Sequence, residues 1–156
     1  MNSKCFNLVF VISLLFYGTI SFSQTDTSVF RKSFADSLGA DDYGMRSYIL
    51  VILKSGSAEI KDKTLRDSLF KGHMQNIQYL VKQGKMIVAG PFQKNELSFR
   101  GLFILNVKTV DEAKQLVEVD PTVSSGIFEC DYIPWYGSAA LPLYLPFAEQ
   151  ITRKNF

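Results

Sequence analysis

Residues 63–92, KTLRDSLFKGHMQNIQYLVKQGKMIVAGPF, carry the pattern that decides the fold. Leu65, Leu69, His73, Ile77 and Leu80 recur at steps of four, four, four and three, with Phe70, Met74 and Val81 widening the stripe. Apolar positions so spaced share one face of an α-helix. Lys71, Gln75, Gln78 and Lys82 fall on the opposite, solvated face. Asp62 or Thr64 is placed to cap the start. Gly84 ends the helix, because glycine accepts the left-handed backbone that follows a last turn. Lys85 to Ala89 then reads as a short apolar strand stopped by Gly90-Pro91. His73, the only histidine of the chain, sits mid-way along the buried face. An imidazole aimed at a sheet is either a satisfied core group or the working group of a site.

Upstream, residues 46–54 (RSYILVILK) form a near-continuous aliphatic run between Gly44 and Ser55-Gly56-Ser57, as expected of a central strand buried on both faces. Downstream, residues 99–108 give a third strand through Leu102, Phe103, Ile104, Leu105 and Val107, antiparallel to the second across the polar turn 93–98. Thr109-Val-Asp-Glu112 is a capping box, and Val110, Ala113, Leu116 and Val117 make a second apolar stripe, so a helix runs from Val110 to about Val119. Asp120-Pro121 breaks it. Residues 126–136 form the fourth strand, with Pro134 marking an edge or its end.

The order β-α-β-β-α-β is the split βαβ plan of an α+β, ferredoxin-like sandwich: one four-stranded antiparallel sheet with both helices on one face. The other face is too apolar to meet water, and a second copy closing sheet on sheet would cover it.

Residues 1–23 read as a secretory signal peptide: Lys4, an apolar run through Phe22, and small Ser21 and Ser23 before a cleavage point. A spanning anchor is the alternative, opposed by Asn7, Ser13, Gly18 and Thr19, which interrupt the run. Export to the periplasm or beyond, with no stable membrane anchor after cleavage, is therefore expected. Removing the leader takes Lys4 away and leaves 16 basic against 15 acidic residues, a near-neutral surface with no electrostatic call on nucleic acid. Cys130 becomes the one thiol, so no internal disulfide is possible. Residues 24–45 are a polar lead-in with one helical turn between Phe30 and Leu38. Residues 137–156, rich in Leu and Pro, are expected to run as an extended tail packed on the body or on a partner subunit.

His73, Gly84 after ten intervening residues, Ala89-Gly90-Pro91, Gly101, Glu112-Ala113, Asp120-Pro121 and Gly126-Ile127, in that order and at those spacings, resemble the YciI-like, or YCII-related, domain over about residues 47–135. The resemblance implies a ferredoxin-like fold that dimerises into an α/β barrel, with an active site where a histidine and an aspartate meet, here His73 and Asp120. Dehydrohalogenase or lyase activity on hydroxylated, chlorinated aromatics is among the activities it implies. The arginine typical of the family three residues before the histidine is Phe70 here.

A carboxylate on the second nitrogen of an imidazole fixes its tautomer and raises its basicity, as proton abstraction near neutral pH requires. Asp120 could so orient His73 from across the sheet. The expectation is a small pocket between the first long helix and the sheet. There a cofactor-free elimination or isomerisation would act on a small cyclic or phenolic compound. The alternative is a non-catalytic module binding a small molecule or a partner. One histidine with scattered carboxylates has no metal-ligand spacing, so neither metal nor cofactor is expected, although a haem would need only His73. Cys130, between Glu129 and Asp131, has no cation to stabilise a thiolate. Tyr132, Trp135, Tyr136, Phe92 and Phe99 would suit an aromatic pocket wall, or equally core and dimer contacts.

Overall fold

A computed structural model describes residues 29–154. The predicted signal peptide, residues 1–23, lies outside them. The elements are α1 (Lys32–Leu38), β1 (Met45–Ser55), α2 (Lys63–Lys82), β2 (Met86–Pro91), β3 (Phe99–Leu105), α3 (Val110–Val117), α4 (Pro121–Ser124), β4 (Phe128–Ser138), a 3-10 turn (Leu141–Tyr144) and α5 (Leu145–Ile151). The four strands form one antiparallel sheet in the order β2-β3-β1-β4, the ferredoxin-like arrangement, with β1 central as its aliphatic run implies.

Period-two alternation divides the sheet into two faces. Ile49, Val51, Leu53, Phe103, Leu105 and Met86 point to one side, where they pack with Leu80 of α2 and with Ala113 and Val117 of α3. Tyr48, Ile87 and Ile104 point to the other, with Leu50 and Val88 around them. Both long helices therefore lie on the first face. At the start of α2 the Asp62 carboxylate accepts from Leu65 N at 3.1 Å. At its end Gly84, with φ of 64°, lets Gly84 N reach Val81 O and Lys85 N reach Leu80 O, both at 2.9 Å. Those paired bonds close the last turn and hand the chain to β2.

The structure corrects the sequence reading at several points. The tail is helical where an extended run was expected: Pro142 and Pro146 fall at the first positions of the 3-10 turn and of α5, where a missing N–H costs nothing. It packs on the body, with Leu141 against the second-face cluster and the Tyr144 hydroxyl donating to Ile87 O. Gly90-Pro91 does not stop β2, since an edge strand has one side on which proline's lack of an N–H is harmless. β3 ends at Leu105 because Asn106 turns to serve others. Its N donates to Lys85 O at 2.8 Å, its Nδ2 to Gly84 O at 3.0 Å, and its Oδ1 accepts Arg46 Nη2 at 2.7 Å. The fourth strand runs on to Ser138, pairing Gly137 with Arg46. The apolar stripe of α2 is not buried throughout, for its first turns stand clear of the sheet and leave Leu65 50% and Phe70 38% exposed.

Candidate functional site

Asp120-Pro121 ends α3 as expected and also begins α4, which the sequence reading omitted. Proline at the first helical position needs no partner for an N–H, and the Asp120 carboxylate caps the turn by accepting from Thr122 N at 2.9 Å. The turn lies against α2 at Gly72, where a β-carbon would stand 2.7 Å from Pro121 Cγ. This close approach sets His73 beside Asp120. The pair meets on one side of the sheet, helix against turn, and not from across it as first read.

Asp120 Oδ2 lies 2.8 Å from His73 Nδ1 and 3.3 Å from Asn76 Nδ2. Oδ1 accepts from Thr122 N and, at 2.7 Å, from Thr122 Oγ1. Four donors thus surround a carboxylate that is wholly buried, as is Thr122. Burial alone would push the Asp120 carboxyl up, but the hydrogen bonds from His73 and Thr122, with the imidazole's charge, outweigh it and hold the group below its ordinary 3.8. The carboxylate is therefore ionised at neutral pH and can only accept. Nδ1 of a neutral imidazole must then carry the ring proton, which leaves the lone pair on Nε2.

That second nitrogen makes no hydrogen bond among the described residues. No buried side-chain nitrogen or oxygen among them is without a partner, so Nε2 is reached by solvent. The opening is narrow, since the His73 side chain is only 11% exposed. Three rings flank the imidazole: Phe128 at 5.7 Å, Phe103 at 6.0 Å and Phe70 at 6.3 Å between centroids. Of the aromatic residues singled out in the sequence, Tyr132 shares the first face of the sheet and the others lie elsewhere. Trp135 stacks near Tyr48 on the second face, Phe92 pairs with Phe99 at the β2–β3 turn, and Tyr136 donates to Asp41.

Cys130 sits on β4 with Tyr132, both packed against the first-face core. Burial pushes its thiol up to about 11, with the charges of Asp120 and Asp131 acting in the same direction against a hydrogen bond from Tyr132. A thiol so placed is protonated at neutral pH and is no nucleophile. No group of three or more His, Cys, Asp or Glu among the described residues is placed to hold a metal ion. No described helix is long and apolar enough to cross a membrane.

Two clefts open away from His73. One, of about 490 Å³, is lined by Asp41, Arg46, Ser47, Lys108 and Tyr136. Its groups are largely committed to holding the lead-in: Arg46 Nη1 donates to Leu38 O at 3.0 Å, and Asp41 accepts from Tyr136, Tyr43 N and Met45 N. The other, of about 870 Å³, lies between α2 and α5 and is lined by Ile77, Val81, Leu145, Pro146 and Ala148 with a polar rim.

Thr122, Asn76 and Gly72 went unnoticed in the sequence. A signal existed for each. Asn76 is one helical turn after His73, Thr122 is the second residue of an Asp-Pro helix start, and Gly72 breaks an otherwise good helix former's run beside the histidine.

No curated protein matches the chain. Among solved structures, it is similar to 5-chloro-2-hydroxyhydroquinone dehydrochlorinase (TftG) from Burkholderia phenoliruptrix AC1100, described in complex with 2,5-dihydroxybenzoquinone. The likeness has 19% identity and a TM-score of 0.41, and covers 56% of this chain and 92% of that one. Residues 45–136, well over half the chain, match the YCII-related domain, nearly the bounds read from the sequence. The chain therefore belongs to the YCII-related domain family.

Proposed function

We infer that the chain is a cofactor-free proton-transfer enzyme in which His73 is the general base and Asp120 orients it. The observation that carries this is the asymmetry of the ring. Nδ1 is 2.8 Å from a buried, ionised carboxylate while Nε2 alone is open. Nε2 would take a proton from an acidic carbon or hydroxyl. In an elimination the freed electron pair forms the new double bond as the leaving group, such as halide, departs with its own pair. In an isomerisation the imidazolium returns the proton to a second carbon. The apolar flank of Phe70, Phe103 and Phe128 favours a small cyclic or phenolic compound, and with Phe70 in place of the family's arginine that cation is not supplied for an anionic one.

The test is a panel of chlorinated and hydroxylated cyclic compounds, followed by halide release and by solvent-deuterium incorporation. Wild type should turn over a member of the panel. His73→Gln should lose about 10²–10⁴-fold, the usual worth of a positioned acid or base, with binding retained. Full turnover by both His73→Gln and Asp120→Asn would end the reading. The second reading, a binding module without chemistry, draws on the α2–α5 cleft of about 870 Å³, lined by Ile77, Val81 and Leu145. Ligand binding that Ile77→Glu abolishes and His73→Gln leaves intact, with no turnover, would favour it.

We also infer export, on the strength of residues 1–23, and a homodimer closed through the second sheet face, where Ile133 is 45% and Trp135 36% exposed.

A further inference from the structure

Thr122 contributes two groups to the site, and they do different work. Its backbone N satisfies the Asp120 cap, a structural task that any residue but proline could perform. Its hydroxyl lies 2.7 Å from Asp120 Oδ1 and also 3.2 Å from His73 Nδ1. We propose that the Thr122 hydroxyl is a positioning group that locks the His73 tautomer, holding the proton on Nδ1 and the lone pair on the solvent-facing Nε2. The proposal rests on the catalytic reading for its purpose, but not for its geometry.

A hydroxyl has one proton to give and lone pairs to receive with. Asp120 is ionised and offers no proton, so the hydroxyl's own proton goes to Oδ1 at 2.7 Å. Toward Nδ1 the oxygen can then only accept. The Nδ1–H is shared between Asp120 Oδ2 at 2.8 Å and Thr122 Oγ1 at 3.2 Å. In the opposite tautomer the Nδ1 lone pair would face the ionised Oδ2, and the hydroxyl could serve it only by giving up its bond to Oδ1. Turning the ring over would put a carbon where Nδ1 now stands and forfeit both bonds. Asn76 Nδ2, at 3.3 Å, occupies the remaining side of Oδ2. The carboxylate is thereby filled with donors, which keeps it an anion and discourages it from taking the ring proton itself.

The chain has one histidine, so its ring nitrogens can be observed without assignment in ¹⁵N-labelled, ligand-free protein. At a pH where the ring is neutral, wild type should show Nδ1 protonated and Nε2 bare. Thr122→Val deletes the hydroxyl and keeps the backbone cap. It should move the tautomer ratio about fivefold toward Nε2–H, the worth of one hydrogen bond near 1 kcal/mol. Thr122→Ser should restore the wild-type ratio, a rescue that a packing role for the methyl group would not give. Thr122→Ala removes the same hydroxyl and supplies the readout should the valine variant fail to fold. A wild-type ring protonated on Nε2, or an unchanged ratio in the hydroxyl-free variant, overturns the proposal. The measurement needs no substrate. An Nδ1–H ring in a chain that turns nothing over would keep the positioning claim and sink the catalytic one.

Discussion

Gly72 and Pro121 meet with no room for a methyl group between them, since a β-carbon on Gly72 would stand 2.7 Å from Pro121 Cγ. The contact explains a glycine in the middle of a 20-residue helix, where it is otherwise unfavourable. In a free helix, Gly72→Ala would gain about 1 kcal/mol. Here the proline ring cannot rotate aside as a long side chain would, and overpacking costs about 1–3 kcal/mol. The variant should therefore be destabilised by about 1 kcal/mol in urea unfolding, although helix propensity alone predicts the reverse sign. A more stable variant would show that α4 yields freely and does not fix the distance between His73 and Asp120.

Asp120 also sets a pH dependence. Its carboxyl is lower in the folded chain than its ordinary 3.8, because hydrogen bonds from His73 and Thr122 outweigh burial. For a depressed acid, the unfolded chain binds the proton first as pH falls. The stabilisation is thus fully present above the ordinary value and is lost as pH drops through the lower, folded one. Wild type should lose stability more steeply than Asp120→Asn below about pH 4. Denaturant midpoints across pH 2–7 check this. Parallel curves would mean that the carboxylate gains nothing from its donors.

The core was legible in the sequence because burial there follows period and length. The aliphatic run of β1, the stripe of α2 and the Thr109 cap each fix an element by themselves, and their order fixes the sheet. The His73–Asp120 meeting was legible only through the family pattern, since the two lie 47 positions apart and nothing local joins them. Its supporting groups depend on how α4 docks on α2, a fact of packing that no periodicity records. The tail misled for a related reason. Prolines in an apolar run suggest extended chain, yet Pro142 and Pro146 stand at helix starts, the positions where proline is welcome.

Cys130 should be slow to react. Burial raises its thiol from an ordinary 9.0 to about 11, so at pH 8 the thiolate fraction falls by about 100-fold relative to a free cysteine. Iodoacetamide labelling, followed at Cys130 by mass spectrometry, should be correspondingly slow in folded protein and ordinary in urea. Rapid labelling of the native chain would mean that the first-face packing of β4 opens readily.

The second sheet face carries the last prediction. Leu141 of the tail covers its Ile87–Ile104 side, which leaves Ile133 and Trp135 on edge strand β4 facing outward. Trp135 is held flat: a β-carbon on Gly137 would stand 2.4 Å from its ring carbons, and Tyr48 lies 5.8 Å away on the neighbouring strand. A rigid aromatic ring already ordered before contact loses little freedom on being buried, which is why tryptophan so often dominates interfaces. Light scattering should therefore give wild type twice the mass of one chain. Trp135→Lys should give one chain's mass with the circular dichroism unchanged. This tryptophan is the only one in the sequence, so its emission should also shift to the red on dilution through the dissociation range. A monodisperse monomer at micromolar concentration would leave Trp135 an ordinary surface ring and confine whatever the protein does to a single sheet.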